Sequence, residues 1–595
     1  MPKMTTEKPK DAKKSLAAFV KSLKRFRFVI IIALVFTIIA SFLRLLSPKI
    51  LGNMTNSAVA SLQTTGTIDF EPIKTFAIQL IVIYAICSIL GYFEHYLLEV
   101  ATARYTERLR AEIMAKISRL PISYFDQHKF GDTLSILNND VDTLWDSLTE
   151  GLAQIITNVT TVVGCLIMMF TISPLLALTA LVVVPLSTFC VGKVAKRAQK
   201  YFVSQRKVLG ELNSHIEEDY AGSIIIKANS HESASYAEFA KTNEKLYADT
   251  WKSRFLSSLA FPIVHLFTNL GYVVVCIFGG SLVLDGRLLI GNIQAFFQYL
   301  SRFNQPLSNL SEIVATFQQT LAASERVFNF LAEPEESPDP IPAKTVEKIK
   351  GGIEFHDVSF SYDKKTPIIK HFSAKINSGA QVAIVGPTGA GKTTIINLLM
   401  RFYDPDSGYI TIDGVPTTEM KRSDVRALFG MVLQDTWLFS GTIKENLSYG
   451  KTDAKLSEIK VATRAAGIDH LIESMKGAYN AKISEDSDNI SAGEKQLLTI
   501  ARAMVENPPM MILDEATSNV DTRAEQKIQA AFEQLTKGRT SFVIAHRLST
   551  IRNADLILVM KDGNIVEQGN HETLLKQNGF YAELYNSQFA DSMIE

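Results

Sequence analysis

The chain has 595 residues, which is too long for one hydrophobic core, so at least two domains are expected. Its 61 basic and 61 acidic residues give a formal net charge of zero, and this balance excludes a dedicated nucleic-acid binder, which would carry a basic excess. Hydrophobic residues make up 47% of the chain and charged residues 21%, with a mean hydropathy of +0.11, so part of the sequence avoids water. The four cysteines lie in apolar runs without ligand spacing, which indicates neither a disulfide framework nor a metal site.

Long runs with few charges predict membrane-spanning helices, each of which needs about 20 apolar residues. The longest uncharged run covers residues 151–192, and Ser173 and Pro174 interrupt it near the middle, so it is predicted to form two spans. With that division the sequence predicts six spans, of which the last is the shortest. They lie within residues 28–48, 75–93, 151–172, 174–192, 255–284 and 288–301.

The distribution of basic residues predicts the orientation of these spans. Residues 1–27 hold nine Lys or Arg, whereas residues 47–74 hold two and the turn at 171–175 holds none. Because cytoplasmic segments carry the excess of positive charge, the N-terminus is predicted to be cytoplasmic. Six spans return the chain to the same side, so everything after about residue 325 is also expected in the cytoplasm.

The basic segment 11–27 has two interpretations. Leu16, Phe19, Val20 and Leu23 are spaced among lysines and arginines in a way typical of an amphipathic helix at the membrane interface. A disordered basic tail fits the first half of the segment equally well, and the sequence does not decide between them.

Two long, charged, helix-like segments connect spans on the predicted cytoplasmic side, at 94–150 and 193–254. Extensions of this kind are suited to contact another domain. A Pro-rich stretch near residues 334–342 then separates the membrane half from a soluble half. We therefore expect four parts, namely an N-terminal segment 1–27, a transmembrane domain 28–335, a linker 336–350 and a soluble domain 351–595.

The soluble half contains a phosphate-binding loop. A strand predicted at 382–385 leads directly into the pattern G-x-x-x-x-G-K-[ST], and a helix-like run at 395–402 follows. The glycines let backbone N–H groups curl around phosphates, the lysine reaches the terminal phosphates, and the next threonine ligates Mg²⁺. The residues predicted to bind the phosphates of ATP are Gly386, Pro387, Thr388, Gly389, Ala390, Gly391, Lys392, Thr393 and Thr394.

A second apolar strand begins at Met510 and ends in two carboxylates, Asp514 and Glu515. Asp514 suits the Mg²⁺ site, and Glu515 can polarise the attacking water. By itself an apolar strand that ends in Asp-Glu indicates these roles only weakly.

Together with further motifs in the same order, these features make the soluble half similar to the nucleotide-binding domain of ATP-binding cassette (ABC) transporters, an α/β P-loop fold. The resemblance implies that Tyr362 stacks on adenine, that Gln434 contacts Mg²⁺ and senses the membrane domain, and that His546 lies beside the γ-phosphate. It further implies that the signature segment 490–494 binds the partner's nucleotide through Ser491 and Gly493, and that 518–521 is the D-loop. The implied catalytic groups are Glu515, His546 and Gln434, and the implied metal ligands are Thr393, Gln434 and Asp514.

The membrane half resembles the exporter-type fold of the same family, an all-α domain of six spans fused N-terminal to its cassette. The resemblance implies coupling helices near 124–132 and 221–230, the first resting on the chain's own cassette and the second on the partner's. It also implies half a transporter, because two cassettes must sandwich each ATP. Such a protein is expected among the lipids of a bacterial cell membrane, with its N-terminus and cassette in the cytoplasm.

The signature segment departs from the family pattern L-S-G-G-Q, since it reads I-S-A-G-E. Ala492 adds a Cβ where the backbone should approach the γ-phosphate, and Glu494 places a carboxylate near a polyanion. Because each signature completes the partner's site, we predict a non-identical partner with the usual signature, and hence one competent and one degenerate ATP site. In this respect the chain resembles the D subunit of bacterial heterodimeric multidrug exporters of the LmrCD/EfrCD type. A homodimer with a drifted signature stays the alternative.

Polar and aromatic side chains in the last two predicted spans favour amphipathic substrates, although ordinary helix packing explains them equally well. They are His265, Asn269, Gln294, Phe296, Phe297, Gln298, Tyr299, Arg302, Phe303 and Asn304. For Arg44 we expect the guanidinium to reach the outer headgroups rather than a cavity. The leading function is export of amphipathic drugs. A homodimeric lipid or lipopeptide flippase is the alternative, and a non-transporting ATPase or gated channel is the third class.

Overall fold

The computed structural model describes residues 11–308, 310–434, 436–484, 490–514, 522–545 and 548–589. The chain divides into two compact units. The first consists of Met1–Arg119 and Lys129–Pro334, and the second of Leu120–His128 and Glu335–Glu595. The predicted site residues Glu515 and His546, and the predicted D-loop at 518–521, lie outside the described residues.

The first unit is helical, as its long apolar runs predict. Two π-helical turns, Ile136–Asp140 and Ser147–Gly151, interrupt the run from α5 to α7, and a 3₁₀ turn, Leu23–Arg25, joins α1 to α2. The helices are α1 Ala12–Ser22, α2 Arg27–Thr65, α3 Phe70–Ile117, α5 Phe130–Ser135, α6 Val141–Asp146, α7 Leu152–Ile172, α8 Pro174–Ala221, α9 Ser223–Ala228, α10 Glu232–Ser258, α11 Ala260–Leu284, α12 Ile290–Ser308 and α13 Leu310–Ala332; α4, Ile122–Gln127, belongs to the second unit.

Four continuous helical stretches among the described residues are long and apolar enough to cross a membrane. They are Arg27–Thr65, Phe70–Ile117, Phe130–Ile172 and Glu232–Leu284. The fourth and sixth predicted spans lie in helices α8 and α12, which are not among these four. The count of six spans therefore stays a prediction.

The break between α7 and α8 lies where the sequence predicts it. Pro174 occupies the first turn of α8, where its missing N–H costs no hydrogen bond, and the Ser173 hydroxyl accepts from the backbone N–H of Leu176 at 3.4 Å. Helix α7 thus ends at Ile172 and α8 begins two residues later, so the 42-residue apolar run folds into two helices.

The N-terminal segment is helical over Ala12–Ser22, so the structure agrees with a helix rather than a disordered tail in this part of the segment. Phe19 is only 5% exposed, the Ser22 hydroxyl lies 2.9 Å from that of Tyr105, and the Ser324 hydroxyl donates to the carbonyl of Ser15 at 3.1 Å. One face of α1 is therefore packed against α3 and α13.

The second unit is an α/β domain with mixed sheets. A six-stranded sheet has the order β12-β11-β3-β10-β9-β6, in which only the edge strand β12 is antiparallel. An antiparallel sheet has the order β2-β1-β4-β5, and β7 pairs with β8. The strands are β1 Ile353–Phe360, β2 Ile369–Ile376, β3 Gln381–Val385, β4 Ser407–Ile412, β5 Val415–Pro416, β6 Phe429–Val432, β7 Gly441–Thr442, β8 Lys482–Ile483, β9 Met510–Asp514, β10 Thr540–Ile544, β11 Leu556–Lys561 and β12 Asn564–Gly569.

The helices of this unit cover the six-stranded sheet, whose central strands are buried on both faces. One apolar cluster lies between the two large sheets around α14, and a second lies under α17, α19 and α20. The helices are α14 Lys392–Leu399, α15 Arg422–Ala427, α16 Ile443–Leu447, α17 Leu456–Ala465, α18 Asp469–Ser474, α19 Ala492–Glu506, α20 Thr522–Thr536, α21 Leu548–Arg552, α22 His571–Gln577 and α23 Phe580–Phe589.

The Pro-rich segment that follows α13 is held on the second unit. Arg422 donates to the carbonyl of Ser337 at 2.6 Å and lies 3.5 Å from the Asp339 carboxylate, while Arg426 pairs with Glu336 at 2.9 Å. The segment predicted as a linker therefore begins with several polar contacts to α15.

Candidate nucleotide-binding site

The phosphate-binding loop lies between β3 and α14, at the carboxyl edge of the six-stranded sheet. A Cβ at Gly386 would lie 2.3 Å from the carbonyl oxygen of Met560 on the neighbouring strand β11, so only glycine fits there. Gly391 has φ +100° immediately before the first turn of α14, a conformation that L-residues other than glycine rarely adopt. The loop thus passes close to the sheet and delivers the N–H groups of an eight-residue helix to one place.

Lys392, the first residue of α14, lies over this loop. Its ammonium donates to the carbonyl oxygens of Gly386 at 2.8 Å and Pro387 at 3.1 Å. Burial lowers the pKa of the Lys392 ammonium, and the nearby Asp514 carboxylate offsets part of that effect. A partly desolvated cation beside exposed loop N–H groups favours the binding of an anion such as a phosphate.

The parallel strands bring the other described site residues to the same edge. Asp514 is the last residue of β9, which pairs with β10 on one side and with β6 on the other. Gln434 comes two residues after β6 and is exposed, and Thr393 is exposed in the first turn of α14. Strand β10 ends at Ile544, which pairs with Asp514 at this edge.

The predicted adenine platform, Tyr362, lies next to this edge. Its hydroxyl donates to Thr394 at 3.3 Å and accepts from the Asn397 amide at 3.2 Å, which ties it to α14. The ring packs edge-on against Phe360 and Tyr403, with centroids 4.9 and 5.0 Å away. The side chain stays 41% exposed, so an aromatic surface is held rigidly in solvent beside the phosphate-binding loop.

Tyr403 links this aromatic cluster to the first predicted coupling segment. Its hydroxyl donates to the carboxylate of Asp126 in α4, which folds as part of the second unit. Burial raises the pKa of Tyr403, and the Asp126 carboxylate raises it further, so the phenol keeps its proton for this hydrogen bond. Three rings and one hydrogen bond therefore connect the predicted adenine platform with α4 inside the second unit.

The signature segment caps helix α19. The backbone N–H and hydroxyl of Ser491 donate to the same carboxylate oxygen of Glu494 at 2.8 and 2.9 Å, and the N–H of Glu494 lies 3.4 Å from the Ser491 hydroxyl. This is a capping box, which glutamine at the same position can also form. Gly493 is buried in the first turn, whereas Ala492 is exposed.

The oxygen ligands expected for Mg²⁺ fit this edge of the sheet. Among the described residues there is no cluster of three or more His, Cys, Asp or Glu side chains that could hold a metal ion by itself. A magnesium ion that arrives on the phosphates of ATP would not need one, because a hydroxyl, an amide and a carboxylate would supply the remaining oxygens. Thr393, Gln434 and Asp514 offer that donor set.

The sequence does not indicate two residues of this site, Tyr403 and Asn397, which position Tyr362. Tyr403 also donates to Asp126 of α4, which lies in the first predicted coupling segment at 124–132. The role of Tyr403 could not be predicted, because an aromatic residue shortly after α14 has no sequence pattern that distinguishes it from a core residue.

Comparison with known proteins finds two family regions in this chain. The ABC transporter transmembrane region family matches residues 30–307, and the ABC transporter family of cassette domains matches residues 369–518. A fatty acid ABC transporter ATP-binding/permease protein of Mycobacterium bovis is 44% identical over 517 residues, which cover 87% of this chain and 82% of the relative. The uncharacterized ABC transporter ATP-binding protein YfiC of Bacillus subtilis is 37% identical over 98% of this chain and 95% of its own length.

A third relative is the probable multidrug resistance ABC transporter ATP-binding/permease protein YheH of Bacillus subtilis, 36% identical over 84% of this chain and 74% of the relative. In this chain the transmembrane region precedes the cassette region in one polypeptide, and the phosphate-binding loop lies within the matched cassette region. The chain therefore belongs to the ABC transporters, as an exporter-type half-transporter that couples ATP hydrolysis to transport.

Proposed function

We propose that this chain is one half of an ATP-driven exporter of amphipathic compounds and that it pairs with a non-identical half-transporter. The observation that carries the pairing is the hydrogen bond from the Ser491 hydroxyl to the Glu494 carboxylate. The proposed boundaries are the N-terminal segment 1–27, the transmembrane domain 28–335, the linker 336–350 and the cassette 351–595.

The chain's own residues supply the hydrolytic half of an ATP site in this proposal. The α14 N-terminus and Lys392 hold the phosphates, and Tyr362 stacks on adenine. Glu515 holds the attacking water by a hydrogen bond and polarises it, His546 lies beside the γ-phosphate, and Gln434 contacts this site from the end of β6. When bound at Thr393, Gln434 and Asp514, Mg²⁺ neutralises charge on the phosphates.

The signature segment makes this chain a poor donor to the opposite site. In the cassette sandwich the Ser491 hydroxyl should donate to a γ-phosphate oxygen, yet it already donates to a carboxylate at 2.9 Å. Glu494 also brings a negative charge within one helical turn of a polyanion, and this lowers the affinity for that anion. A site completed by this segment should therefore bind nucleotide and hydrolyse it slowly.

The second coupling segment suits a partner surface. Helix α9 lies between the long helices α8 and α10, and it presents Ile224 at 81% and Ile225 at 68% exposure. Two large apolar side chains exposed side by side on a charged extension indicate a docking contact. In the proposed assembly they pack on the cassette of the other half-transporter.

The membrane half is proposed to have six spans, with the N-terminus and the cassette in the cytoplasm of a bacterial cell. The nine basic residues in 1–27 support this orientation. The lipids of the cell membrane then surround the apolar faces of α2, α3, α7 and α11.

The substrate class is proposed from the membrane half and from the relatives' names. YheH is named as a probable multidrug resistance transporter, which supports amphipathic drugs, whereas the mycobacterial relative is named as a fatty acid transporter. The latter name favours the second candidate, a homodimeric transporter of lipids or lipopeptides. The two candidates differ in partner and in the compounds that stimulate ATP hydrolysis.

Transport in inverted membrane vesicles tests the proposal. Vesicles that contain this chain with a half-transporter of the usual signature should accumulate an amphipathic dye only when ATP is added, and Lys392→Ala should abolish the accumulation. Hydrolysis of ATP without uptake of any dye or lipid probe would exclude an exporter. Full uptake with this chain alone would favour the homodimeric candidate.

A further inference from the structure

A polar cavity of about 360 Å³ lies inside the first unit, between helices α2, α7 and α12. Amide and hydroxyl side chains of α7 form one wall, among them Gln154, Thr157 and Asn158. Two arginines, Arg44 of α2 and Arg302 of α12, lie on the other sides. No carboxylate is among the described side chains that line it, so the cavity is positively charged.

The two arginines have no counter-ion within the described part of the chain. The Arg302 guanidinium donates to the carbonyl oxygen of Arg44 at 2.6 Å and to the hydroxyl of Ser47 at 3.2 Å, and both of these acceptors are neutral. The sequence has no Asp or Glu within residues 28–68, 151–192, 255–284 and 288–308. Glu94 is the first carboxylate of α3 after the apolar run, and it does not line the cavity.

This arrangement corrects the expectation for Arg44. Instead of extending to the outer headgroups, Arg44 lines a cavity that it shares with Arg302, although the two residues are 258 positions apart. Arg44 is exposed and Arg302 is half-buried, so the two guanidinium groups keep part of their hydration but repel each other as like charges. An anion placed between them would offset that repulsion.

A third donor faces the same space without a partner. The side-chain amide nitrogen of Asn158 is fully buried and makes no hydrogen bond with the described residues. A buried donor without an acceptor lowers the stability of the folded chain, because it gives up its hydrogen bonds with water and gains none. An oxyanion has enough lone pairs to accept from Asn158 and from both guanidinium groups at once.

The ligand's remainder must be apolar. Two of the helices that enclose the cavity, α2 and α7, belong to stretches apolar enough to cross a membrane, and Leu45 and Pro306 form its apolar boundary. The cavity lies at the lower end of the range for small-molecule sites, enough for a headgroup but not for a long hydrocarbon chain as well. A molecule that reaches it through the membrane half therefore carries its charge on one end.

We propose that this cavity binds the oxyanion headgroup of an anionic amphiphile, a carboxylate or a phosphate monoester, and that Arg44 and Arg302 select for this charge. The proposal deepens the proposed export function, since it names the charge of the exported compound. Binding at the cavity and export by the assembly are nevertheless separate properties that can be measured separately.

Direct binding of matched 16-carbon probes tests the site on the full-length protein in detergent. Hexadecanoate and hexadecyl phosphate should bind, whereas hexadecanol and hexadecyltrimethylammonium should bind at least about 10-fold more weakly. The comparison of the two anions distinguishes a carboxylate ligand from a phosphate ligand. Equal affinity for all four probes would overturn the proposal.

Two substitutions at Arg44 sharpen the experiment, because its guanidinium makes no hydrogen bond or ion pair with the described residues. Arg44→Gln should weaken binding of the anions about 10-fold and leave hexadecanol unchanged, and Arg44→Glu should reverse the preference toward the cation. Lys49→Gln, which removes an exposed cation of the same helix outside the cavity, is the control and should change nothing.

Export is then followed in vesicles with the same probes. Anions that bind in an Arg44-dependent way but are not moved when ATP is added would contradict the proposed export function. The proposed binding site would still be supported. Export of cationic and anionic probes at equal rates in both wild type and Arg44→Gln would contradict the binding site and leave the export function intact.

Discussion

Gly386→Ala is the substitution that probes the phosphate-binding loop most selectively. The new Cβ would lie 2.3 Å from the carbonyl oxygen of Met560, whereas a carbon and an oxygen in contact stay about 3.3 Å apart. The carbonyl cannot retreat freely, because β11 is paired with β3 up to Val559 and Val385. The loop must therefore move by about 1 Å.

A displacement of 1 Å in a site that holds reacting groups lowers the rate of reaction by about 100-fold, and overpacking costs about 1–3 kcal/mol. We expect Gly386→Ala to weaken Mg-ATP binding by at least about 10-fold, and to lower turnover by about 100-fold. Binding is measured with a fluorescent ATP analogue and turnover by phosphate release. Thermal melting without nucleotide shows whether the variant is folded.

Gly414→Ala is the matched control. Gly414 lies in the turn between β4 and β5 with φ +84°, and a Cβ there meets no atom within 4 Å. Alanine at that position costs about 1–2 kcal/mol through its left-handed backbone alone. It should lower the melting temperature slightly and leave ATP affinity unchanged. Gly386→Ala with wild-type affinity and turnover would refute the assignment of the loop.

Three further predictions concern chemistry, coupling and pH. Glu515→Gln should leave ATP binding intact and lower turnover at least about 100-fold, because the amide cannot polarise water; near-normal phosphate release would remove Glu515 from this role. Tyr403→Phe should reduce substrate-stimulated hydrolysis but spare basal hydrolysis, because it removes the hydrogen bond to Asp126. An equal loss of both activities would contradict a role of this hydrogen bond in coupling. The control is Tyr409→Phe, at an exposed tyrosine of β4. Burial raises the pKa of the Glu506 carboxyl, so its stabilising contribution is present at low pH and is lost as pH rises through the raised value. Glu506→Gln should therefore raise the melting temperature at about pH 8, with the gain shrinking as the solution is acidified, and a gain independent of pH would contradict this cause.

The nucleotide site could be predicted in outline because its residues follow strands. Residues that follow parallel strands of one sheet lie at the same edge of that sheet. The parallel strands β3, β9 and β6 accordingly place Lys392, Asp514 and Gln434 at one edge. The local break at Ser173 was also predictable, because proline and serine act within one helical turn.

Contacts between distant segments could not be predicted in this way. Asp126 and Tyr403 are 277 positions apart, and no periodicity in either segment indicates the hydrogen bond between them. Arg44 was expected to face headgroups because a single arginine in an apolar run gives no sign of the arginine on α12. For Glu494 the sequence indicated an unfavourable charge, and the structure adds that this carboxylate accepts from the backbone and the hydroxyl of Ser491.

ATP turnover by the purified chain alone tests whether the signature segment of this chain impairs the ATP sites of a homodimer. The variant Ala492→Gly with Glu494→Gln restores the family's signature, frees the Ser491 hydroxyl from a carboxylate, and keeps a residue that can cap α19. Neither substitution touches Lys392, Asp514 or Glu515. We expect slow hydrolysis by the wild-type chain and an increase of at least about 10-fold in the double variant, because each site regains a phosphate donor. Full-rate hydrolysis and dye export by the wild-type chain alone, unchanged in the double variant, would contradict it.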